Sequence, residues 1–136
     1  MNTSLLKVMI VTRDQTLRES LVKPLRHRAD FETVAIVESI QLALERCRKH
    51  PTDVILLDFN GVVTDGINDI QTLRSHLPRT PVVVLAHPEE SVFIGRLTEA
   101  GASGWLLKGT SRDRIAHALR LGKYRSPATG IYPAEQ

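Results

Sequence analysis

The sequence predicts an α/β fold, a five-stranded parallel doubly wound sheet with five helices. Five short apolar runs alternate along the chain with five segments whose apolar residues recur at helical spacing. One run, between Asp53 and Asp58, has four apolar residues and no alternation, which is typical of a strand buried on both faces of a parallel sheet. Parallel strands need crossover connections, and right-handed crossovers place helices on both faces.

The first strand is expected over residues 6–11, and a loop follows at residues 12–14. Leucines then recur every four residues, which predicts an amphipathic helix with Asp14 or Thr16 as its N-cap. Pro24 lies inside this pattern, so we expect the helix to kink or to end early there.

The second strand is expected over residues 33–37, with Ser39 as the cap of the helix that follows. Pro51 ends that helix, and the third strand occupies residues 54–58. The helix carries the single cysteine, Cys47, on its apolar face, so a core position is favoured over a nucleophile.

Asp65-Gly66 is a turn signal that opens the third helix, which Pro78 closes. A fourth strand at residues 81–86 precedes a helix striped by apolar residues and ended by Gly101. The apolar stripe of this fourth helix is formed by Phe93, Leu97 and Ala100. The last two elements are a strand at residues 104–107 and a helix that Ser111 caps and Gly122 follows.

The length and composition fit one folded domain. A chain of 136 residues with 42% hydrophobic residues can bury a core. No apolar run reaches the roughly 20 residues of a membrane helix, and no signal-peptide pattern opens the chain. We therefore expect a cytoplasmic protein with no membrane partner.

A small set of residues, polar except for one alanine, lies where the predicted strands end. Because the carboxyl ends of parallel strands share one edge of the sheet, these residues are expected to meet there. They are Thr12, Arg13 and Asp14 after the first strand, Asp58 at the end of the third, Ala86 at the end of the fourth and Lys108 after the fifth. This predicts a site with an aspartate and a lysine in reach, although an aspartate at position 58 is also compatible with a simple strand end or turn cap.

Residues 54–58, Asp65-Gly66, 81–85 and 101–108 resemble the receiver domain of bacterial two-component response regulators, which has a flavodoxin-like or CheY-like fold. Gly109 and Ser111, following Lys108, resemble the NarL/LuxR-type branch. The resemblance implies a receiver domain over residues 1–122. Residues 123–136 are then an irregular C-terminal tail or the start of a linker to an effector domain.

The family mechanism assigns roles to four residues. In receivers an aspartate accepts a phosphoryl group, a divalent cation held by carboxylates offsets the charge, and a lysine contacts the phosphate. The resemblance makes Asp58 the candidate phosphoacceptor, Lys108 the lysine and Trp105 the switch aromatic. Asn60 would offer its backbone carbonyl to the metal.

The chain departs from the family pattern at several positions, among them Gly61-Val62, where the family usually has Met-Pro in the loop after the acceptor. The family's acidic pair falls on Thr12 and Arg13, and its switch hydroxyl falls on Ala86. Since magnesium usually binds at least one or two carboxylates, we expect its site to be lost and no cofactor to be bound. Asp14 is a possible replacement ligand, but helix capping is favoured. We expect Arg13 to form a direct ion pair with Asp58, the alternative being that Arg13 extends into solvent.

The favoured function is an atypical receiver without enzymatic activity, which acts by protein–protein contact with impaired or absent Mg-dependent phosphorylation. One alternative is a receiver that does accept a phosphoryl group on Asp58, as part of a DNA-binding transcription regulator, with Arg13 and Lys108 replacing the charge of the metal. A minor alternative is a small flavodoxin-like enzyme or cofactor carrier, but the loop at residues 12–16 is not the Ser-, Thr- and Gly-rich cradle that a flavin phosphate needs.

The expected partners are proteins, including a histidine kinase and a second copy of the chain in a homodimer. The net charge is +3, and basic residues concentrate late in the chain. No DNA-reading motif accompanies them, so DNA contact is expected only through an effector domain not in this chain. The histidines show no metal-ligand spacing and are interpreted as surface residues or helix-end cations: His27, His50, His76, His87 and His117.

Overall fold

The computed structural model describes residues 5–26 and 30–122, which fold into alternating strands and helices. The strands are β1 Leu6–Val11, β2 Phe31–Val37, β3 Val54–Asp58, β4 Val82–Ala86 and β5 Gly104–Leu107. The α-helices are α1 Gln15–Arg26, α2 Ile40–Lys49, α3 Val63–His76, α4 Ile94–Ala100 and α5 Arg112–Leu121, and a 3₁₀ helix over Pro88–Phe93 leads into α4. The predicted alternation is confirmed.

All neighbouring strands pair in parallel, in the order β2-β1-β3-β4-β5. The predicted fold class is therefore confirmed. At the carboxyl edge Asp58 is in register with Leu85, and Ala86 is in register with Leu107. The sheet thus brings the ends of β1, β3, β4 and β5 together, as the strand pattern predicted.

The sheet is covered on both faces, because strand residues alternate between two apolar clusters. One cluster joins the sheet to α1 and α5, through residues such as Leu21 and Ile115. The other joins it to α2, α3 and α4 and includes Trp105. Cys47 packs partly buried against this second cluster, in agreement with its predicted core position.

Asp65-Gly66 does not form the predicted turn. Both residues lie inside α3, which begins at Val63. A Cβ atom on Gly66 would lie 3.0 Å from side-chain atoms of both Phe59 and Leu97. The glycine therefore allows α3 to pack closely against its neighbours. An Asp-Gly pair in the sequence does not show whether the glycine is needed for a turn or for such close packing.

Pro24 does not end α1 early, since the helix continues to Arg26. The predicted caps behave as expected. Asp14 Oδ1 accepts hydrogen bonds from the amides of Thr16 and Leu17 at the start of α1. The hydroxyls of Ser39 and Ser111 cap α2 and α5.

Two of our expectations lie outside the described residues, namely the nature of residues 123–136 and the environment of His27. The other four histidines are exposed, as predicted. In the described ranges no helix is long and apolar enough to cross a membrane.

Candidate functional site

Asp58 lies at the carboxyl edge of the sheet, at the end of β3, and its side chain is only 10% exposed. Its Oδ2 accepts a hydrogen bond of 2.8 Å from the hydroxyl of Thr12, the first residue after β1. Thr12 is itself 4% exposed, and its oxygen accepts a 3.0 Å hydrogen bond from the amide of Asp14. Since that amide occupies an acceptor site of the hydroxyl, the Thr12 proton is directed at Asp58.

Lys108, in the turn after β5, supplies the positive charge of the site. Its Nζ lies 2.7 Å from Asp58 Oδ1 and donates a 2.8 Å hydrogen bond to the backbone oxygen of Phe59. The contact with Oδ1 is an ion pair rather than an aligned hydrogen bond, and Oδ1 is buried. The predicted proximity of the aspartate and the lysine is thus present, with one partner on each carboxylate oxygen.

Arg13 does not form the predicted ion pair with Asp58. Its side chain is exposed, and its Nε donates a 3.3 Å hydrogen bond to the backbone oxygen of Glu38 in the loop between β2 and α2. The physical reason is that Thr12 and Lys108 already contact the two oxygens of Asp58. The guanidinium therefore lies at the rim of the site rather than on the aspartate.

Asp14 and Asn60 are held by their own loops. Asp14 caps α1 through Oδ1, which agrees with the favoured interpretation of this residue. The Asn60 side chain accepts a 2.8 Å hydrogen bond from the amide of Val62 and donates a 3.3 Å hydrogen bond to Asp65. Both side chains thus stabilise helix starts beside Asp58.

Ala86 and Trp105 are both buried. Ala86 ends β4 with 0% exposure, and its backbone oxygen accepts from the amide of Lys108 at 3.0 Å. Trp105, on β5, is 4% exposed and belongs to the core under α2, α3 and α4. A methyl group at position 86 has no hydrogen-bonding atom to offer an anion at this edge.

A cavity of about 310 Å³ opens beside Asp58, between the first loop, α2 and α3. It is lined by Thr12, Arg13, Asp58 and Asn60, and also by three acidic residues that the sequence analysis did not assign to the site: Glu38, Asp65 and Asp69. Asp65 and Asp69 are four residues apart, so they share one face of α3. The four-residue spacing of these two aspartates could have predicted that both face the site. Because Asp65-Gly66 was interpreted as a turn, Asp65 was not placed on the same helix as Asp69.

The structure perturbs the ionisation of Asp69, which lies on α3 beside the cavity. Partial burial raises the pKa of Asp69 above its ordinary value of 3.8, and the nearby Asp65 carboxylate raises it further. The Arg13 guanidinium opposes this effect and lowers the pKa of Asp69. Arg13 therefore acts electrostatically on the α3 side of the cavity.

The residues around Asp58 do not fit the divalent cation that the family resemblance implies. The two positions after β1 carry a hydroxyl that donates to Asp58 and a guanidinium. Among residues 5–26 and 30–122, no three His, Cys, Asp or Glu side chains are arranged to hold a metal ion. Hard cations prefer several oxygen ligands, carboxylates among them. The loss of the magnesium site stays a prediction.

Comparison with known proteins identifies the family. Residues 8–120 match the family model described as the response regulator receiver domain. The chain belongs to this family. The receiver is 30% identical over 115 residues to the transcriptional regulatory protein LnrK of Bacillus subtilis. The aligned region covers 85% of this chain and 52% of LnrK. The receiver is 31% identical over 121 residues to the response regulator GacA of Pseudomonas syringae, covering 86% of this chain and 55% of GacA.

A solved structure supports the same conclusion. The signal receiver domain of NarL from Mycobacterium tuberculosis superposes with a TM-score of 0.75 at 26% identity, covering 90% of this chain and 98% of that domain. The predicted NarL/LuxR-type relationship is confirmed. The chain spans about half the length of the regulators LnrK and GacA. It is a receiver domain of two-component signalling, similar in sequence to part of a transcriptional regulatory protein.

Proposed function

We propose that this chain is an atypical receiver, which signals through protein–protein contact and does not depend on Mg-assisted phosphorylation. The observation that carries the proposal is the 2.8 Å hydrogen bond from Thr12 to Asp58 Oδ2, at a position where the family has a carboxylate. A carboxylate there would repel Asp58 and attract a cation, whereas a hydroxyl donor stabilises Asp58 directly.

Attack by Asp58 on a phosphoryl group is disfavoured by the surroundings of both oxygens. Oδ2 would have to lose the Thr12 hydrogen bond, and Oδ1 is buried beside Lys108. An incoming phosphodonor is anionic, and in phosphoryl transfer metal ions usually neutralise the charge that develops. Lys108 supplies one positive charge, but it already offsets Asp58 itself. Ala86 adds no hydrogen bond to a phosphoryl oxygen.

In this proposal the output is made by surfaces of the receiver. We infer that the partners are proteins, a second copy of the chain and a histidine kinase among them, and that the chain is not an enzyme. Any DNA contact would belong to an effector domain outside these 136 residues. The relatives support this inference, since LnrK is a transcriptional regulatory protein about twice as long as its matched region.

A second candidate keeps Asp58 as a phosphoacceptor. It is favoured by Oδ1, which faces the ammonium of Lys108 and accepts no hydrogen bond. Asp58 also lines the cavity of about 310 Å³. In this candidate Lys108 replaces the metal as the charge that approaches the phosphate, and Oδ1 is the attacking atom.

Intact-mass measurement separates the two candidates. The protein is incubated with acetyl phosphate and Mg²⁺, beside an Asp58→Asn variant and a receiver that has both acidic residues. We expect the wild type and Asp58→Asn to gain no phosphoryl group in the time that the control receiver needs for full labelling. A prompt gain of one phosphoryl group in the wild type, absent from Asp58→Asn, would contradict the proposal and establish the second candidate.

A further inference from the structure

Arg112, at the start of α5, joins the first and last helices through its guanidinium. Nε donates a 3.1 Å hydrogen bond to the backbone oxygen of Ser20, and one terminal nitrogen donates at 2.9 Å to the Ser20 hydroxyl. The other terminal nitrogen donates at 2.9 Å to the backbone oxygen of Thr110. The contacts are partly buried, so solvent screens them less than it would screen surface contacts.

Pro24 leaves the backbone oxygen of Ser20 available for this contact. In an α-helix the oxygen of residue 20 accepts from the amide of residue 24, and proline has no amide proton. The Ser20 oxygen in α1 therefore lacks its helical donor, and Arg112 Nε satisfies it. With any other residue at position 24, a backbone amide would share this oxygen with the guanidinium.

The second terminal nitrogen of Arg112 connects it to the turn that carries Lys108. Thr110, whose backbone oxygen binds Arg112, closes a turn by donating its amide to the oxygen of Leu107 at 3.0 Å. Lys108 lies within this turn, and its Nζ is 2.7 Å from Asp58 Oδ1. A displacement of Lys108 would thus move the turn that carries the Thr110 oxygen, and with it the anchor of Arg112.

A second arm leaves Asp58 through Thr12. The Thr12 hydroxyl accepts from the amide of Asp14, and Asp14 caps the first turn of α1. Asp58 is therefore connected to α1 at two places, at the helix start through Thr12 and near Ser20 through Lys108 and Arg112. The two arms end at different residues, so their effects are separable.

We propose that Arg112 is a positioning residue that transmits the charge state of Asp58 to the middle of α1, so that the α1–α5 face responds to the site. This route does not use the end of β4, where Ala86 has no side-chain polar atom. The inference goes beyond the proposed function and does not require Asp58 to be phosphorylated. It needs only that neutralising Asp58 releases Lys108 from its ion pair.

The test measures backbone amide chemical shifts by NMR. Asp58→Asn is introduced into the wild type, into Arg112→Gln and into Arg114→Gln. Arg114 is the matched control, because it is exposed on the same helix two residues later and its substitution removes the same charge. The amide of Ser20 reports the Arg112 arm, and the amide of Thr16, which binds the Asp14 cap, reports the Thr12 arm.

We expect Asp58→Asn to shift the Ser20 amide in the wild type and in Arg114→Gln, and to shift it several-fold less in Arg112→Gln. The response of Thr16 is expected to persist in all three backgrounds. Ser20→Ala removes the hydroxyl that accepts from Arg112 and that itself donates at 2.9 Å to the oxygen of Leu17, but it keeps the Ser20 backbone oxygen, so it should give an intermediate response at Leu21. If Arg112→Gln does not fold, Ser20→Ala carries the test.

Two results would overturn the inference. One is an absent Ser20 response in the wild type, which means that the site does not reach the middle of α1. The other is a response that stays at its wild-type size in Arg112→Gln, or at Leu21 in Ser20→Ala, which means that another route carries it. Neither result depends on whether a phosphodonor labels Asp58, so failure here is distinct from failure of the proposed function.

Discussion

The hydroxyl of Thr12 donates a 2.8 Å hydrogen bond to Asp58 across 46 residues of sequence, linking the end of β1 to the end of β3. Together with the ion pair to Lys108, it gives each oxygen of the carboxylate one partner. We expected Arg13 to be the residue that holds Asp58, and the structure assigns that role to its neighbour. Asp58 is therefore held in place as expected, but by Thr12 and Lys108 and not by Arg13.

The first prediction concerns the stability that this hydrogen bond provides. Thr12→Val keeps the shape of the side chain and removes the hydroxyl, which leaves a partly buried oxygen of Asp58 without its donor and the amide of Asp14 without its acceptor. We expect the free energy of unfolding to fall by about 1–3 kcal/mol. Urea unfolding at neutral pH measures it, with Thr64→Val, at an exposed position in α3, as the matched control.

The contribution of Asp58 itself is separated by combining Thr12→Val with Asp58→Asn. In the double variant the loss due to Thr12→Val should shrink, because the acceptor has lost its charge. Equal losses in Thr12→Val and Thr64→Val would show that the hydrogen bond stabilises nothing.

The second prediction concerns magnesium. Trp105 is the single tryptophan and lies buried beside β4, so its fluorescence reports changes at this edge. With a hydroxyl and a guanidinium at positions 12 and 13, we expect a flat titration at millimolar Mg²⁺. The double variant Thr12→Asp with Arg13→Asp should show a saturable change. A saturable change in the wild type that Asp58→Asn abolishes would refute the expectation.

The fold was predictable because it depends on patterns that are local in sequence. Short apolar runs predicted the strands, and apolar residues at helical spacing predicted the helices. Asp14, Ser39 and Ser111 predicted where three of the helices begin. The strand ends then followed from the parallel pairing. The glycine at position 66 was misassigned because its reason is tertiary, namely close packing against Phe59 and Leu97.

The contacts of the site were harder to predict, since they depend on which side chains reach one another. The sequence brought Thr12, Arg13, Asp58 and Lys108 to one edge, but it did not decide which of the first two would bind the aspartate. A buried hydroxyl competes well with a long exposed guanidinium, which loses more side-chain entropy when it is fixed. The Ser20–Arg112 contact joins residues 92 apart, and only the missing amide proton of Pro24 hinted at it.

The third prediction concerns association. We expect a homodimer at about 100 µM without any phosphodonor, a concentration at which micromolar affinity gives a clear dimer population. Sedimentation velocity measures it. The two candidate faces are the one formed by α1 and α5 and the one formed by α4, β5 and α5. Charge reversal separates them, with Glu19→Lys on α1 and Arg96→Glu on α4, both at exposed positions. One of them should dissociate the dimer and the other should leave it intact. A monomer at this concentration would contradict the prediction.

The last prediction concerns the pH dependence that Asp69 gives to stability. Burial and the charge of Asp65 raise the pKa of Asp69 in the folded protein above 3.8, so between that value and the raised one the folded state binds more protons than the unfolded state. The contribution of Asp69 to the free energy of unfolding therefore falls as pH rises through this window. Asp69→Asn should remove this slope and stabilise the protein at neutral pH, whereas Glu45→Gln, at an exposed position on α2, should do neither.

Arg13→Gln should raise the pKa of Asp69 further, because in the wild type the Arg13 guanidinium lowers that pKa. Carbon-detected NMR of the carboxyl groups measures that pKa, and an unchanged value in Arg13→Gln would mean that Arg13 does not act on the α3 side of the cavity.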